Sequence, residues 1–576
     1  MSGDFQVTAS NAMALFTLKL HRGEGMALLA MNWKDGQPPA DFVGFGIEYQ
    51  EPGGDRFFAI KNRLGFTGIV AMAADGQADP QQLSTLRAPI QKFRWVHFPR
   101  NADLPGEFVY RVTPVFMNGA DELSYGEAQL AAIALRRETW PGQLNVTFTR
   151  GFVSSQAFVN QYAPYPEDMK TLLPAKADEG LDFQPTHPKA AEALAWMGFE
   201  ARNAILEVLD QAIADPAAQV RVVAYDLSER TVVEKLQQLG SRLKIIIDNS
   251  GTHGPEHAAE SQAAALLRAS AGAAQVKRQH MGCLQHNKTI LVNGPTVQAV
   301  VCGSTNFSWR GFYVQANNAV VLRGSQALQP FAAAFDAYWA HDAAADFGAT
   351  TSASWVALGL DGIDAEVTFS PHGNDNAVLG KVADDIDQAG SSLFYSMAFL
   401  YQTQGPIRRA IEAVTARDHV LVYGMSDREV DGLDLQKPDG NVRPVSPTAL
   451  GAHAPLPFKP EPTGGSGIRM HHKFAVIDFD QPTARVYLGS YNFSGPADRS
   501  NGENLLLIRD RRVAVAYMIE ALRLFDHYHF RLAQTEASTA QKAFNLKKPP
   551  RTPDEQTWWA AHYTDAVKIR DRLLFA

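Results

Sequence analysis

The chain has 576 residues, 45% hydrophobic and 20% charged, with 53 lysines and arginines against 61 aspartates and glutamates for a formal net charge of −8. At about 150 residues per domain this length predicts three to four domains with full cores, which excludes a disordered or collagen-like chain. The acidic balance gives no global pull toward nucleic acid or an anionic membrane, and two cysteines, Cys283 and Cys302, exclude a disulfide framework or a four-cysteine zinc site.

The first residues carry neither a basic n-region nor an apolar h-region, and no run of 18 apolar residues is uninterrupted. A cytoplasmic location is expected, with signal-independent export left open. Residues 1–138 read as all-β. Phe108, Tyr110, Val112, Pro114 and Phe116 alternate with Val109, Arg111, Thr113 and Val115, the period of a strand. Asn118-Gly119 supplies a turn and Ala128 to Leu135 a further apolar run, while Val43 to Tyr49 and Phe93 to Phe98 are earlier strand candidates. Glu107 to Leu135 resembles the last two strands of an immunoglobulin or fibronectin type III sandwich, a domain expected to recruit a protein partner if it recruits anything.

From about residue 140 the chain repeats itself. Val146-Thr147-Phe148-Thr149 recurs as Val367-Thr368-Phe369-Ser370. A helical run from Ile205 leads into the strand Val220 to Tyr225, and its counterpart from Leu379 leads into Leu393 to Leu400. Each copy then has another helix and strand, Leu243 to Ile247 and Val420 to Tyr423. Helices alternating with apolar strands predict an α/β architecture with a buried sheet in each copy, over residues 143–345 and 364–535. Two long loops, one holding Gln161 to Glu167 and Phe183 to Pro188, the other Ser426 to Gly467, read as a lid or substrate rim. Residues 536–576 form a tail whose Trp558-Trp559 is expected to pack back onto the body.

Chemistry concentrates at one block per copy. The first copy has His286-Asn287-Lys288, then 14 residues, then Gly303-Ser304-Thr305-Asn306-Phe307-Ser308; the second has His471-His472-Lys473, then 15, then Gly489-Ser490-Tyr491-Asn492-Phe493-Ser494. Histidine and lysine two apart share a strand face. Lysine, asparagine and serine are donors suited to the oxygens of a phosphoryl group; one imidazole can attack phosphorus while a second protonates the leaving oxygen. No histidine and carboxylate cluster occurs at metal-ligand spacing, so no metal or other cofactor is expected. His472 should face the opposite side of its strand in a structural role, Cys302 should pack as a small apolar residue, and His253 and His257 read as solvated loop residues. Tyr225, Asp226 and Tyr395 fall at or near strand ends without a pattern that selects them.

These paired motifs resemble those of the phospholipase D superfamily, His-x-Lys-x4-Asp followed by Gly-Ser-x-Asn, over residues 143–535. The resemblance implies two similar α/β/α halves with pseudo-twofold symmetry around one shared site. It also implies a metal-independent two-step reaction through a phosphohistidine, with His286 the nucleophile and His471 the general acid and later the base. Lys288, Lys473, Asn306 and Asn492 would hold the phosphoryl oxygens, supported by Ser304 and Ser490. The halves differ at two positions: Asp478 and Glu503 in the second stand where the first has Asn293 and Asn317. A carboxylate raises the basicity of an imidazole bonded to it, so the two histidines are expected to differ in pKa. The substrate reading is a phospholipid, cleaved or transferred; the alternatives are a nuclease acting on DNA or RNA and a non-catalytic phosphate-binding module.

Overall fold

The computed structural model describes residues 4–68, 83–136, 138–151, 158, 161–163, 165, 167–400, 405–426, 470–539 and 545–576. They divide into two compact units: the described residues between Met1 and Arg137 with those between Val515 and Ala576, and the described residues between Glu138 and Ala514.

The first unit holds two antiparallel sheets. One has the order β1 (Gln6–Thr8), β2 (Phe16–Gly23), β3 (Met26–Trp33), β6 (Arg94–His97). The other runs β5 (Phe58–Ala59), β4 (Phe42–Gln50), β7 (Glu107–Met117), β8 (Leu123–Tyr125), with β9 (Gln129–Ala134) also on β7. Phe16, Leu18 and Leu20 of the first sheet and Phe42, Phe45, Ile47, Phe108 and Tyr110 of the second share one core. The strands expected at 43–49, 93–98, 108–116 and 128–135 are β4, β6, β7 and β9. The β2–β3 hairpin went unread because β3 is buried along nearly its whole length and shows no alternation. Trp558 and Trp559 join this core, the former 5.3 Å from Phe93 and 5.6 Å from Phe42, so the tail does pack back.

The second unit holds two seven-stranded sheets. The first contains β10 (Leu144–Phe148), β11 (Gln219–Ala224), β12 (Leu243–Asp248), β13 (Val276–Gln279), β14 (Lys288–Asn293), β15 (Gln298–Gly303) and β16 (Asn318–Arg323), ordered β10-β16-β15-β14-β11-β12-β13. The second contains β17 (Val356–Ala357), β18 (Asp364–Ser370), β19 (Ser392–Met397), β20 (Leu421–Met425), β21 (Lys473–Ile477), β22 (Arg485–Gly489) and β23 (Glu503–Arg509), ordered β17-β18-β23-β22-β21-β19-β20. Six strands correspond in succession and direction, antiparallel up to the parallel pairs β11·β12 and β19·β20. Helices such as Ala190–Ala214, Ala259–Ala271 and Ser325–Ala340 separate the strands, the mixed α/β pattern expected of the alternating sequence. Of the two long loops, residues 164, 166 and 427–467 lie outside the described residues. Phe183 sits edge-on to Trp309, 5.3 Å away, against the helix that follows the first Gly-Ser-x-Asn motif.

Candidate functional site

Each motif sits at a strand end for a local reason. Gly303 (φ +128°) and Gly489 (φ +142°) end β15 and β22 where a Cβ would meet the backbone oxygen of Asn318 or Asn504 at 2.6 or 2.3 Å, so only glycine lets the neighbouring strands close there. The last serine of each motif is a helix cap. Ser308 Oγ accepts from Gly311 N at 3.1 Å, and Ser494 Oγ from Ala497 N at 3.3 Å.

The two sheets meet through a pair of matched backbone bridges, Gln285 with Gly502 and Met470 with Ala316. Gly502 N donates to Leu284 O at 2.8 Å and His471 N to Ala316 O at 3.1 Å. Each bridge sets the residue after it against a histidine of the opposite sheet. His286 Nδ1 lies 2.8 Å from Glu503 Oε2, and His471 Nδ1 lies 2.8 Å from Asn317 Oδ1. The rings of His286 and His471 are 6.4 Å apart. Both histidines and both lysines are buried, and Lys288 and Lys473 each donate to the carbonyl of the histidine two residues earlier.

Tautomers follow from these partners. Asn317 Nδ2 donates to Gly311 O at 2.9 Å, which fixes Oδ1 toward His471, so His471 carries its proton on Nδ1. Glu503 accepts from His286 Nδ1 and from Asn501 Nδ2 (3.0 Å). Nε2 is therefore the free nitrogen of both neutral imidazoles. Burial pulls His286 well below its ordinary value, with Lys288 and Lys473 adding to the effect; His471 is lowered by burial, then by Lys473, Lys288 and His286. Burial brings Lys288 down to about 7, opposed by Glu503, Asp226 and Asp248. It pushes Glu503 up to about 8, opposed by Lys288, Asn501 and Lys473. The pocket is crowded with cationic groups that give up protons and is suited to an anion.

Ser304 Oγ donates to Asn317 Oδ1 (2.9 Å) and accepts from Asn318 N (3.0 Å); Ser490 Oγ accepts from Asn504 N (3.0 Å) and bonds Glu503. The serines thus hold the side chains that hold the histidines. Asn306 and Asn492 each have a buried Oδ1 without a hydrogen-bond partner. Asp478 and Asn293 are not brought to the site. They stand just beyond β21 and at the end of β14, five residues or about 16 Å from the lysines at ~3.3 Å per residue. Asp478 instead accepts from the backbone of Gly390, Ser391 and Ser392 and ties down the start of β19. Asn293 is exposed beside Gln298.

His472 is buried against Phe148 and Phe474, and Cys302 is buried in β15, both as expected. His257 is exposed, but His253 departs from its reading as a solvated loop residue. It is buried, with Nδ1 2.8 Å from Asp248 Oδ2 and Nε2 3.1 Å from Asp226 Oδ1. The reason is Asp248, fully buried at the end of β12, whose charge demands donors and takes them from His253 and Ser250. Tyr225 lies with its ring 4.6 Å from both His253 and His286, and Lys288 Nζ is 4.7 Å from its centre. Folding also gathers ligand-type atoms of Asp226, His253 and Glu260 within 4.8 Å, a grouping sequence spacing did not reveal. Protein partners already occupy them: Glu260 Oε1 accepts from Leu227 N, and both nitrogens of His253 face carboxylates, those of Asp226 and Asp248.

Two sheets thus each bring a histidine, a lysine and a Gly-Ser-x-Asn turn to one buried cluster, a two-motif arrangement. Residues 209–339 and 382–524 match the family described as "Cardiolipin synthase, PLD-like domain". The chain belongs to the phospholipase D superfamily. A 59-residue stretch, 10% of this chain, is 42% identical to the mitochondrial cardiolipin hydrolases of Xenopus tropicalis and Xenopus laevis, and spans 26% of each. Among solved structures, similarity extends to phosphatidylserine synthase from Haemophilus influenzae (10% identity, TM-score 0.38, 58% of this chain and 91% of that one). It extends also to Nuc, a phospholipase D family member from Salmonella typhimurium (22%, TM-score 0.20, 24% and 87%). Among the described residues, no helix is long and apolar enough to cross a membrane.

Proposed function

We propose that the two sheets are the pseudo-twofold halves of one phosphodiesterase site and that the substrate is a phospholipid. The observation that carries this reading is the pair of facing histidines, 6.4 Å apart, one bonded to a carboxylate and the other to an amide. His286 Nε2 attacks phosphorus, a P–N bond forms and the P–O bond to the leaving alcohol breaks. His471, protonated on both nitrogens once a phosphate anion sits beside it, gives its Nε2 proton to the leaving oxygen. Water then loses a proton to His471 Nε2, attacks phosphorus and releases His286; an alcohol in place of water gives transfer. Lys288, Lys473, Asn306 and Asn492 stabilise the phosphoryl oxygens, charge that other enzymes supply with a metal.

The lipid assignment is supported by the family description and by the short stretch shared with cardiolipin hydrolases. The test is headgroup release from mixed vesicles containing cardiolipin and phosphatidylglycerol in excess EDTA, comparing wild type with His471→Asn. Release by wild type alone is expected. Cleavage of DNA or RNA with no lipid release would overturn the substrate, and phosphate binding without cleavage of any diester would overturn the activity.

A further inference from the structure

Asn306 is tied to more than its own motif. Its Nδ2 donates to Asp226 Oδ2 at 2.7 Å, and because a carboxylate only accepts, this contact fixes which end of the amide is nitrogen. The other oxygen of Asp226 meets His253 Nε2 at 3.1 Å. His253 Nδ1 meets Asp248 Oδ2 at 2.8 Å, and Asp248 Oδ1 accepts from the backbone N of Gln285, the residue before His286, at 2.7 Å. Unbroken hydrogen bonds therefore run from the Asn306 amide to the strand entry of His286. The backbone runs in parallel: Leu227 bridges to Phe307, and Ser228 N and Glu229 N both donate to Phe307 O at 3.1 Å.

Among the described residues, the second sheet lacks this feature. β11 pairs Ala224 with Lys288 and β19 pairs Met397 with Lys473, so Tyr225 and Asp226 correspond to Ala398 and Phe399, which cannot hold an amide. We propose that Asp226, His253 and Asp248 form a relay that positions Asn306 toward the phosphoryl group, making Asp226 and His253 positioning residues of the first half. The assignment rests on the phosphodiesterase reading for its purpose, and on the hydrogen bonds alone for its existence.

With one N–H committed to Asp226, Asn306 keeps the second for a phosphoryl oxygen, and its rotation is blocked. His253 is the centre of the relay. Burial draws its pKa down, and the bonds to Asp226 and Asp248 outweigh this and raise it to about 10, with Glu260 on the adjacent helix adding to the rise. Arg278 on β13 donates to the backbone oxygens of Asp248 and His253 and closes the cluster from the far side. The imidazolium thus balances Asp226, so a carboxylate can stand beside an anion site without opposing it.

The charge gives the test its sign. A carboxylate acting only through its charge would repel a bound anion, and removing it would tighten binding; a positioning carboxylate does the reverse. Sulfate binding by calorimetry and turnover of bis(p-nitrophenyl) phosphate are measured on the full-length protein carrying Asp226→Ala, Asp226→Asn or His253→Gln, each checked by thermal melting. Expected for Asp226→Ala is sulfate affinity about 10-fold weaker and kcat/KM lower by about 10- to 100-fold, KM rising with the loss of anion binding, the range seen when supporting residues are lost. Asp226→Asn keeps an acceptor for Asn306 and stays within about 3-fold of wild type; His253→Gln falls between. Sulfate binding equal to wild type or tighter in Asp226→Ala would overturn the relay. Sulfate binding without diester turnover in wild type would overturn the phosphodiesterase reading instead, and the relay is then decided on sulfate affinity alone.

Discussion

Replacing Glu503 with glutamine should cripple turnover while leaving the fold in place. Three donors converge on this buried carboxylate: His286 Nδ1 at 2.8 Å, Asn501 Nδ2 at 3.0 Å and the Ser490 hydroxyl. On the proposed mechanism His286 is phosphorylated on Nε2, its ring becomes cationic, and the bond to an ionised carboxylate strengthens. A hydrogen bond to a charged group contributes about 1.5–3 kcal/mol, so losing the charge alone slows the step about 10- to 150-fold, at 1.36 kcal/mol per tenfold. A second effect adds to the first. Glutamine offers one acceptor oxygen, and with Asn501 Nδ2 claiming it, the new NH₂ faces His286 Nδ1 and drives the ring proton to Nε2, where the attacking lone pair must be. The equivalent carboxylate-to-amide change in a serine-protease triad costs about 10⁴ in kcat through the wrong tautomer. A fall in kcat of about 10³ to 10⁴ is therefore expected in Glu503→Gln, with KM little changed, read from initial rates on a soluble phosphodiester. Adding Asn501→Asp supplies an acceptor for the new NH₂, turns the glutamine oxygen back to His286 and should recover the tautomer part while leaving the charge part lost. A loss below about 10-fold in the single variant, or no recovery in the double, would refute the reasoning.

Rapid quench during turnover should trap phosphate on a histidine that maps to His286 by peptide sequencing; label on His471 would reverse the assignment of roles. Lys288, drawn to about 7 by burial against the pull of Glu503, Asp226 and Asp248, is mostly neutral at pH 8, and an anion beside it raises its pKa. Sulfate binding at pH 8 should then take up more protons in wild type than in Lys288→Met, measured by calorimetry in buffers of different ionisation enthalpy; equal uptake by the two would count against it. In the first unit, burial raises the Asp526 pKa, but Arg94, 2.6 Å away, and Lys92 outweigh it and lower the group to about 2. A depressed carboxylate stabilises above its unfolded value of about 4 and loses that contribution as pH falls toward 2. Arg94→Met should reduce this acid sensitivity, Lys92 remaining 3.4 Å from Asp526, and, by removing the guanidinium that Asp526 and Asp571 share, cost about 3–5 kcal/mol in urea unfolding.

The chemistry-bearing blocks were legible because they are local. Strand, turn and cap residues follow one another within a few positions, and the glycines mark where strands must close. Partnership was not legible. Glu503 serves His286 and Asn317 serves His471 across 217 and 154 residues, a crossing set by the backbone bridges at Gly502 and Ala316 and by nothing within either motif. Asp478 and Asn293 illustrate the opposite error. Their offset from the lysine suggested support for the site, while strand rise alone carries them to the other end of the sheet. His253 was lost because a Gly- and Pro-rich context reads as surface; the available signal was Asp248, a carboxylate ending an otherwise apolar strand and therefore in need of buried donors.

On the proposed mechanism, the crossed partners bear on why His286 attacks and His471 carries protons. Both rings occupy matching positions, both hold a proton on Nδ1 and both present Nε2, so position and tautomer do not separate them. The acceptor behind each ring does. On the proposed mechanism the cationic ring of a phosphohistidine needs a negative charge at Nδ1, and Glu503, pushed up to about 8 in the resting site, can supply it by ionising as that ring becomes cationic. A proton carrier must pass between neutral and charged forms, and a carboxylate would hold its charged form too tightly; the neutral oxygen of Asn317 fixes His471 without biasing it. The surroundings divide the same way, with Tyr225 and Asp226 on the His286 side where Ala398 and Phe399 stand on the other. The amide at position 317 acts on the second half's histidine and the carboxylate at 503 on the first's, so each half supplies the acceptor that the other half's histidine uses.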